Sequence, residues 1–185
     1  MIEPGITAIL LAGGQGSRMN YQDKAWVHYA GLPLLKHVIS HIEQDVDQIL
    51  ISRNAPHPAE KNLPYKVIRD NLHGFQGPLA GISSCTSQIK TDKAIILPCD
   101  IPILPNDLVP RLTSSLMAFD IAVATSGGIL QPLVFSIKTQ VLNTIHPYLE
   151  SGERSAKGWL SSLSFTEIDF GEEKFNNINS SSQLR

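Results

Sequence analysis

The chain has 185 residues, of which 42% are hydrophobic and 17% charged, and its formal net charge is −2. This length suits a single domain with a sizeable core, and the composition excludes a disordered or membrane-embedded chain. A nearly neutral chain lacks the basic surface typical of nucleic-acid binding, so we expect neither nucleic acid nor a membrane as a partner. No apolar run reaches the length of a membrane span, and the first strand is too short for a signal peptide.

The cysteines and histidines give no sign of a metal centre. Cys85 and Cys99 stand apart without metal-ligand spacing, which favours a reducing, cytoplasmic location. His37 and His41 share one side of a predicted helix, where a solvated face is the simpler interpretation. A zinc or redox centre is therefore not expected.

Strand-like and helix-like segments alternate along the chain. The predicted strands cover residues 6–10, 48–52, 65–69, 93–97, 121–125 and 133–136. The predicted helices cover residues 33–45, 78–89, 105–117, 139–149 and 155–163. Apolar strands separated by such helices predict an α/β fold, with a mostly parallel sheet in a three-layer α/β/α arrangement of Rossmann-like type.

A glycine-rich loop follows the first strand. It contains Gly13, Gly14 and Gly16, and two cations, Arg18 and Lys24, come shortly after. Glycines let backbone N–H groups approach an anion closely, so this pattern favours a nucleotide triphosphate site, although the same glycines also suit a plain flexible turn. The spacing matches neither a P-loop nor a dinucleotide-binding fingerprint.

Polar residues recur where the predicted strands end. Ser52 and Asn54 follow the second strand, Asp70 the third and Asp100 the fourth. Ligands of parallel α/β sheets bind outside the carboxyl ends of the strands, so these side chains are expected to share one site. Asp70 could equally cap a turn, the commoner role of a strand-end aspartate.

Asp100 is the candidate metal ligand. It lies between Pro98 and Pro102, which stiffen the backbone on either side. A rigidly held carboxylate suits Mg²⁺, which binds through one or two carboxylates plus substrate phosphates; the alternative is a cap on the following segment. Neighbouring Cys99 is interpreted as a small buried side chain rather than a nucleophile.

A second glycine-rich turn, from Gly77 to Gly81, leads into a helix. The N-terminus of a helix favours an anion or a base edge, so Gly77 and Gly81 are candidate ligand contacts, although an ordinary helix start has the same pattern. Arg18, Lys24 and Mg²⁺ together would supply the charge stabilisation that nucleotidyl transfer needs.

With these residues in view, the chain resembles the molybdenum cofactor guanylyltransferases (the MobA family), which are glycosyltransferase-A-like nucleotidyltransferases. The resemblance covers nearly the whole chain. Its motifs are Leu11-Ala12-Gly13-Gly14, Arg18-Met19, Asp23-Lys24, Gly31-Leu32-Pro33-Leu34, Val67-Ile68-Arg69-Asp70, Gly77-Pro78-Leu79-Ala80-Gly81, Pro98-Cys99-Asp100-Ile101-Pro102, Gln131-Pro132-Leu133, Gly152-Glu153-Arg154 and Phe175-Asn176-Asn177-Ile178-Asn179.

The resemblance implies transfer of GMP from GTP to Mo-molybdopterin, which forms the guanine dinucleotide cofactor and pyrophosphate. It also implies which residues contact GTP, and Asp100 would bind Mg²⁺ as well. The implied GTP contacts are Leu11, Ala12, Gly13, Lys24, Asp70 and Asp100. The glycine-rich turns and the strand ends add further candidate GTP contacts: Gly14, Ser52, Asn54, Gly77 and Gly81. Gly13 favours guanine, since related cytidylyl enzymes usually have alanine there.

On the acceptor side, the resemblance implies roles for Arg154, Asn177 and Asn179. It divides a single domain, residues 1–185, into a nucleotide half of about 1–104 and an acceptor half of about 105–185. Proteins that insert molybdopterin and chaperones of molybdoenzymes are further candidate partners. Two alternatives remain open: a cytidylyl- or sugar-nucleotidyltransferase, and a non-catalytic GTP-binding protein that delivers the cofactor.

Overall fold

The computed structural model describes residues 2–13, 23–69, 77–171 and 175. Its strands are β1 (Glu3–Leu11), β2 (His28–Tyr29), β3 (Leu32–Pro33), β4 (Gln48–Ser52), β5 (Lys66–Ile68), β6 (Thr91–Pro98), β7 (Ile121–Ser126), β8 (Ile129–Lys138) and β9 (Thr166–Asp169). Its α-helices are α1 (Leu34–Ile42), α2 (Pro78–Cys85), α3 (Leu108–Ser114), α4 (Ile145–Glu150) and α5 (Ala156–Ser161). Short 3₁₀ helices cover Lys24–Trp26, Pro58–Asn62, Thr86–Gln88, Ser115–Met117 and Thr139–Thr144.

In this part of the chain, seven strands form one sheet in the order β5-β4-β1-β6-β8-β7-β9. All neighbouring strands are parallel except at β8, which runs antiparallel to both β6 and β7. The predicted α/β fold with a mostly parallel sheet is therefore confirmed. Strands β2 and β3 form a separate small hairpin.

The antiparallel strand arises from a two-residue turn. Gly127 and Gly128 connect β7 to β8 with φ angles of 55° and 73°. Two consecutive positive φ values are readily adopted by glycine and produce a tight hairpin, whereas a parallel connection needs a much longer crossover. Strand β8 consequently returns beside β7 and brings its first residues to the carboxyl edge of the parallel strands.

Alternating side chains of the central strands pack into two hydrophobic cores, one on each face of the sheet. In β1, Ala8 and Leu10 contribute to one core, while Ile9 and Leu11 contribute to the other. Helices α1 and α3 cover the first face, and α2, α4 and α5 cover the second. Burying one such leucine or isoleucine contributes about 1.5–3 kcal/mol, so strands that are apolar on both sides are held firmly in the middle of the molecule.

The predicted elements differ from the structure mainly at their ends. Three predicted helices are partly 3₁₀ in the structure. A 3₁₀ helix follows α2 at residues 86–88, another follows α3 at 115–117, and a third precedes α4 at 139–144. The hairpin of β2 and β3 and the edge strand β9 were not predicted, because these short strands lack consecutive β-branched residues such as Val67 and Ile68 in β5. No helix within the described residues is long and apolar enough to cross a membrane.

Candidate functional site

The ends of the central parallel strands are tied together beyond the sheet itself. The N–H of Ala12 donates to the carbonyl of Ser52 at 2.8 Å, and the N–H of Cys99 donates to the carbonyl of Leu11 at 3.1 Å. These bonds continue the ladder past the ends of β1 and β6. The segments that follow the strands are thereby fixed side by side at one edge of the sheet, where ligands of such folds bind.

A cleft of about 410 Å³ opens at this edge. This volume lies within the usual range for small-molecule sites. Many of the residues predicted from the sequence line it: Leu11, Ala12, Gly13, Lys24, Ser52, Asn54, Gly77, Gly81 and Asp100. The tertiary structure therefore brings together in one cavity residues that come from five separate segments of the chain.

Lys24 and Asp100 form an ion pair at this cleft. The ammonium Nζ of Lys24 lies 3.1 Å from Oδ2 of Asp100, and the two side chains are 26% and 19% exposed. A partly buried pair of this kind is screened less than a surface pair, so both charges act strongly on whatever enters the cleft. Together they offer a cation for phosphate oxygens and a carboxylate for a metal ion.

The fit of a divalent cation can be judged from the carboxylates that line the cleft. Asp23 and Asp100 both do so. Within the described residues, no group of three or more histidine, cysteine, aspartate or glutamate side chains could hold a metal by itself. Carboxylate oxygens supplemented by substrate phosphates are what Mg²⁺ prefers, so this donor set fits Mg²⁺ better than zinc.

The N-terminus of α2 provides a third polar element. Its cap, Gly77, has φ of 78°, a conformation that favours glycine, and Pro78 occupies the first helical position. Among the described residues, no side chain caps this end of the helix. Gly77, Pro78 and Gly81 line the cleft, so the positive end of the helix dipole lies where an anion or a base edge would be stabilised.

Cys99 lines the same cleft but is not a nucleophile. Burial raises the pKa of its thiol to about 12, and the negative charges of Asp100 and Asp23 add to the increase. Only the thiolate attacks electrophiles, and at this pKa almost none is present near neutral pH. The interpretation of Cys99 as a small buried side chain agrees with its position.

Several residues of the sequence-based prediction are not part of the described cleft. Gly14, Arg18, Asp70, Asn177 and Asn179 lie outside the described residues.

Arg154 is described, and it is not among the residues that line the cavity. Its Nη1 donates to the carbonyls of Leu149, at 2.7 Å, and of Glu153, at 2.6 Å. The carbonyl of Arg154 would lie 3.6 Å from a side-chain carbon added at Gly77, so the backbone of Arg154 lies beside Gly77, which lines the cleft.

Some of the residues that line the cleft were not predicted from the sequence. Asp23 and Arg53 do so, as do Gln131 and Pro132 from β8. The Gly127-Gly128 turn was the available signal for β8, because a tight hairpin there returns residues 131–134 to the carboxyl edge. Arg53 directly follows β4, between Ser52 and Asn54, so its position at this edge of the sheet was predictable. Its pairing with Asp23 was not, because the two residues are 30 positions apart.

Comparison with known proteins supplies independent evidence. Residues 8–166 match the family described as "MobA-like NTP transferase domain". A curated relative from Shewanella baltica (strain OS155 / ATCC BAA-1091), named molybdenum cofactor guanylyltransferase, is 37% identical over 182 residues, which cover 96% of this chain and 93% of the relative.

Solved structures share the fold. Molybdopterin-guanine dinucleotide biosynthesis protein A from Archaeoglobus fulgidus superposes with a TM-score of 0.77 at 19% identity, covering 96% of this chain and 94% of that one. CMP:2-keto-3-deoxy-manno-octonic acid synthetase, solved in complex with CTP, superposes with a TM-score of 0.74 at 12% identity, covering 97% and 95%. Since a cytidylyl enzyme shares it, the fold alone does not select the base.

Proposed function

The chain belongs to the MobA-like NTP transferase family and is a nucleotidyltransferase of molybdenum cofactor biosynthesis, and from this premise we propose that it transfers GMP from GTP to Mo-molybdopterin. The products would be molybdopterin guanine dinucleotide and pyrophosphate. The observation that carries this proposal is the ion pair between Lys24 and Asp100 in a cleft lined by the strand ends and by the N-terminus of α2.

The proposed reaction needs no covalent intermediate on the protein. An oxygen of the acceptor's phosphate monoester attacks the α-phosphorus of GTP, and the bond from that phosphorus to the β-phosphate oxygen breaks. The acceptor phosphate is already ionised, so no strong general base is needed. The protonated thiol of Cys99 is consistent with a reaction of this kind, which does not require a cysteine nucleophile.

The roles of the cleft residues follow from their charge. Lys24 would neutralise the triphosphate and the departing pyrophosphate, and the first-turn N–H groups of α2 would add further positive potential. Asp100 would hold Mg²⁺. When bound there, Mg²⁺ would withdraw charge from the phosphates. Arg18 is proposed to act beside Lys24 on the triphosphate.

The remaining assignments extend this proposal. Asp70 would contact GTP, whereas Arg154, Asn177 and Asn179 would contact the acceptor. A single domain would thus consist of a nucleotide half, about 1–104, and an acceptor half, about 105–185. We further propose a cytoplasmic location and contact with proteins that insert the cofactor into molybdoenzymes, to which the product must be passed.

The proposal is tested by pyrophosphate release with Mg²⁺ and Mo-molybdopterin, in parallel reactions with GTP, CTP and ATP. Of the three nucleotides, we expect only GTP to give pyrophosphate release. In that reaction the acceptor should gain the mass of GMP. Release with CTP alone would instead indicate a cytidylyltransferase. GTP binding without pyrophosphate release would indicate a delivery protein, and either of those results would overturn the proposal.

A further inference from the structure

We propose that Arg53 is a positioning residue that holds Lys24 in the cleft through Asp23. This inference rests on the proposed function, in which Lys24 contacts the phosphates of the nucleotide and Asp70 contacts the same nucleotide. Arg53 follows β4, and Asp23 directly precedes Lys24. The guanidinium of Arg53 forms an ion pair with the carboxylate of Asp23 through Nη2.

Arg53 is unusually well buried for an arginine. Its side chain is 1% exposed, and two of its nitrogens bind one backbone carbonyl. Nε donates to the carbonyl of Ala55 at 2.8 Å, and Nη2 donates to the same carbonyl at 2.6 Å. The planar guanidinium is therefore fixed in position and orientation before it reaches Asp23.

Asp23 stabilises the 3₁₀ turn that contains Lys24. Its Oδ1 accepts from the N–H of Ala25 at 3.3 Å, and its carbonyl accepts from the N–H of Trp26 at 3.0 Å. Asp23 thus caps the 3₁₀ helix of residues 24–26. Because the Asp23 side chain is 28% exposed, it would rotate toward water if Arg53 did not hold it.

The other side of Arg53 is anchored by a second carboxylate. Nε of Arg53 lies 2.8 Å from Oε1 of Glu60, and Glu60 also pairs with Arg69. Arg69 Nη1 donates to the carbonyl of Arg53 at 3.1 Å, which closes the network. Partial burial by itself raises the pKa of Glu60, but bonds from Arg69 and the N–H of His57, with the charges of both arginines, lower it below its ordinary value. Glu60 is consequently ionised.

These contacts form a chain of four alternating charges: Asp23, Arg53, Glu60 and Arg69. The chain links the turn of Lys24 to the end of β5, where Arg69 directly precedes Asp70. It therefore connects two segments that are proposed to contact the same nucleotide. A connection of this kind fixes the distance between them before the nucleotide arrives, which is the preorganisation that transfer reactions require.

The network is better suited to positioning than to stability. Nη1 of Arg53 is buried without a hydrogen-bond partner among the described residues, which costs free energy. Buried ion pairs contribute little net stability compared with apolar groups of the same shape. After removal of Arg53, Glu60 keeps Arg69 and Asp23 reaches water, so no carboxylate is left buried without compensation.

The test compares Arg53→Met and Arg53→Lys with the wild-type protein. Arg111→Met is the matched control, since Arg111 pairs with Asp107, lies over Phe170 and is not among the residues that line the cleft. For Arg53→Met, we expect kcat/KM to fall about 10- to 100-fold, the range associated with a small displacement of a charged group. In Arg53→Lys, kcat/KM should fall less, because the lysine keeps the charge but cannot bridge the carboxylates of Asp23 and Glu60. The control should keep wild-type activity.

Two further readouts separate positioning from a general structural defect. Affinity for GTP should weaken in Arg53→Met while affinity for guanosine, which lacks phosphates, stays unchanged. In addition, the effects of Arg53→Met and Lys24→Met on kcat/KM should be strongly non-additive, because one residue acts through the other. Additive losses, or an equal loss of guanosine affinity, would overturn the inference.

A measurement without nucleotide keeps this inference distinguishable from the proposed function. Amide hydrogen exchange of the apo protein should quicken at Ala25, Trp26 and Val27 in Arg53→Met but not in Arg111→Met. If the wild-type protein releases no pyrophosphate from any nucleotide, the proposed function fails while this exchange result still decides whether Arg53 holds the turn. Unchanged exchange at these three amides in a folded Arg53→Met protein would show that Arg53 does not position the turn.

Discussion

Ser52 Oγ occupies the space into which a side chain at Gly81 would project. A Cβ added at Gly81 would lie 2.4 Å from this oxygen, closer than any relaxed contact. The same Cβ would meet the Cβ of Ser52 and Cδ2 of Leu11 at 3.5 and 3.7 Å, which are ordinary contacts. The hydroxyl of Ser52 is therefore the single group that a small side chain at this position of α2 must displace.

This relationship predicts that the effect of Gly81→Ala on the free energy of unfolding changes sign when Ser52 is replaced by alanine. Gly81→Ala should lower the free energy of unfolding in the wild-type background, because Ser52 must leave its position. In a Ser52→Ala background the same change should raise it by about 0.5–1 kcal/mol, the gain in helix propensity from glycine to alanine. Urea unfolding of the four proteins provides the measurement, and equal effects in both backgrounds would contradict the prediction.

Asp100→Asn should reduce kcat by about 10²-fold or more while the protein stays folded. The amide preserves the volume of the side chain and can still accept from Lys24, but it removes the negative charge proposed to hold Mg²⁺. Pyrophosphate release and the thermal midpoint should be measured on the same sample. Asp107→Asn, at an exposed carboxylate away from the cleft, is the matched control. Wild-type turnover in Asp100→Asn would remove the metal assignment.

The network of Arg53 and Glu60 predicts a dependence of stability on pH. The pKa of Glu60 lies below its ordinary value of 4.5 in the folded protein, so the folded state favours the ionised form. Its contribution is present in full above that value and is lost as pH falls through the lower, folded-state pKa. The difference in unfolding free energy between wild type and Glu60→Gln should therefore be constant from pH 7 to 6 and shrink below pH 4.5. A difference that grows on acidification would contradict the assigned direction.

Cys99 should resist alkylation in the folded protein. With a pKa of about 12, the fraction of thiolate at pH 8 is about 10⁻⁴. Cys85 is also buried. Iodoacetamide at pH 8 should therefore label neither thiol within a time that labels both in urea, as read by mass spectrometry. Rapid labelling of Cys99 in the folded state would show that the thiol is more accessible and more acidic than its surroundings indicate.

Asn179→Ala tests the proposed acceptor side. The spacing of Asn177 and Asn179 predicts that both amides point to one face of an extended segment, where they could bind a pterin edge or a phosphate. GTP affinity should remain nearly unchanged while GMP transfer to molybdopterin falls sharply. Equal loss of GTP affinity would assign these residues to the nucleotide, and no loss of either would leave them with a capping role.

The sequence predicted most reliably the features that depend on local pattern. The runs around Ile9, Leu50 and Ile96 are apolar on both sides of the strand, which occurs where a sheet is covered on both faces, and the structure confirms those strands. The position of Asp100 after such a run placed it at the carboxyl edge. Helix ends were less well predicted, because α and 3₁₀ turns differ in hydrogen bonding rather than in composition.

The amino-acid sequence by itself determined the α/β fold, the family and the edge of the sheet at which the candidate site lies, because each follows from short-range pattern and from motifs. Only the tertiary structure decided that Asp23 and Arg53, 30 residues apart, form one ion pair, and that β8 pairs with β6, which places Gln131 in the cleft. Such pairings depend on the paths of separate segments through space. No local propensity encodes a guanidinium buried between carboxylates of two separate segments, since burial and Coulomb interactions become defined only when the whole sheet has formed.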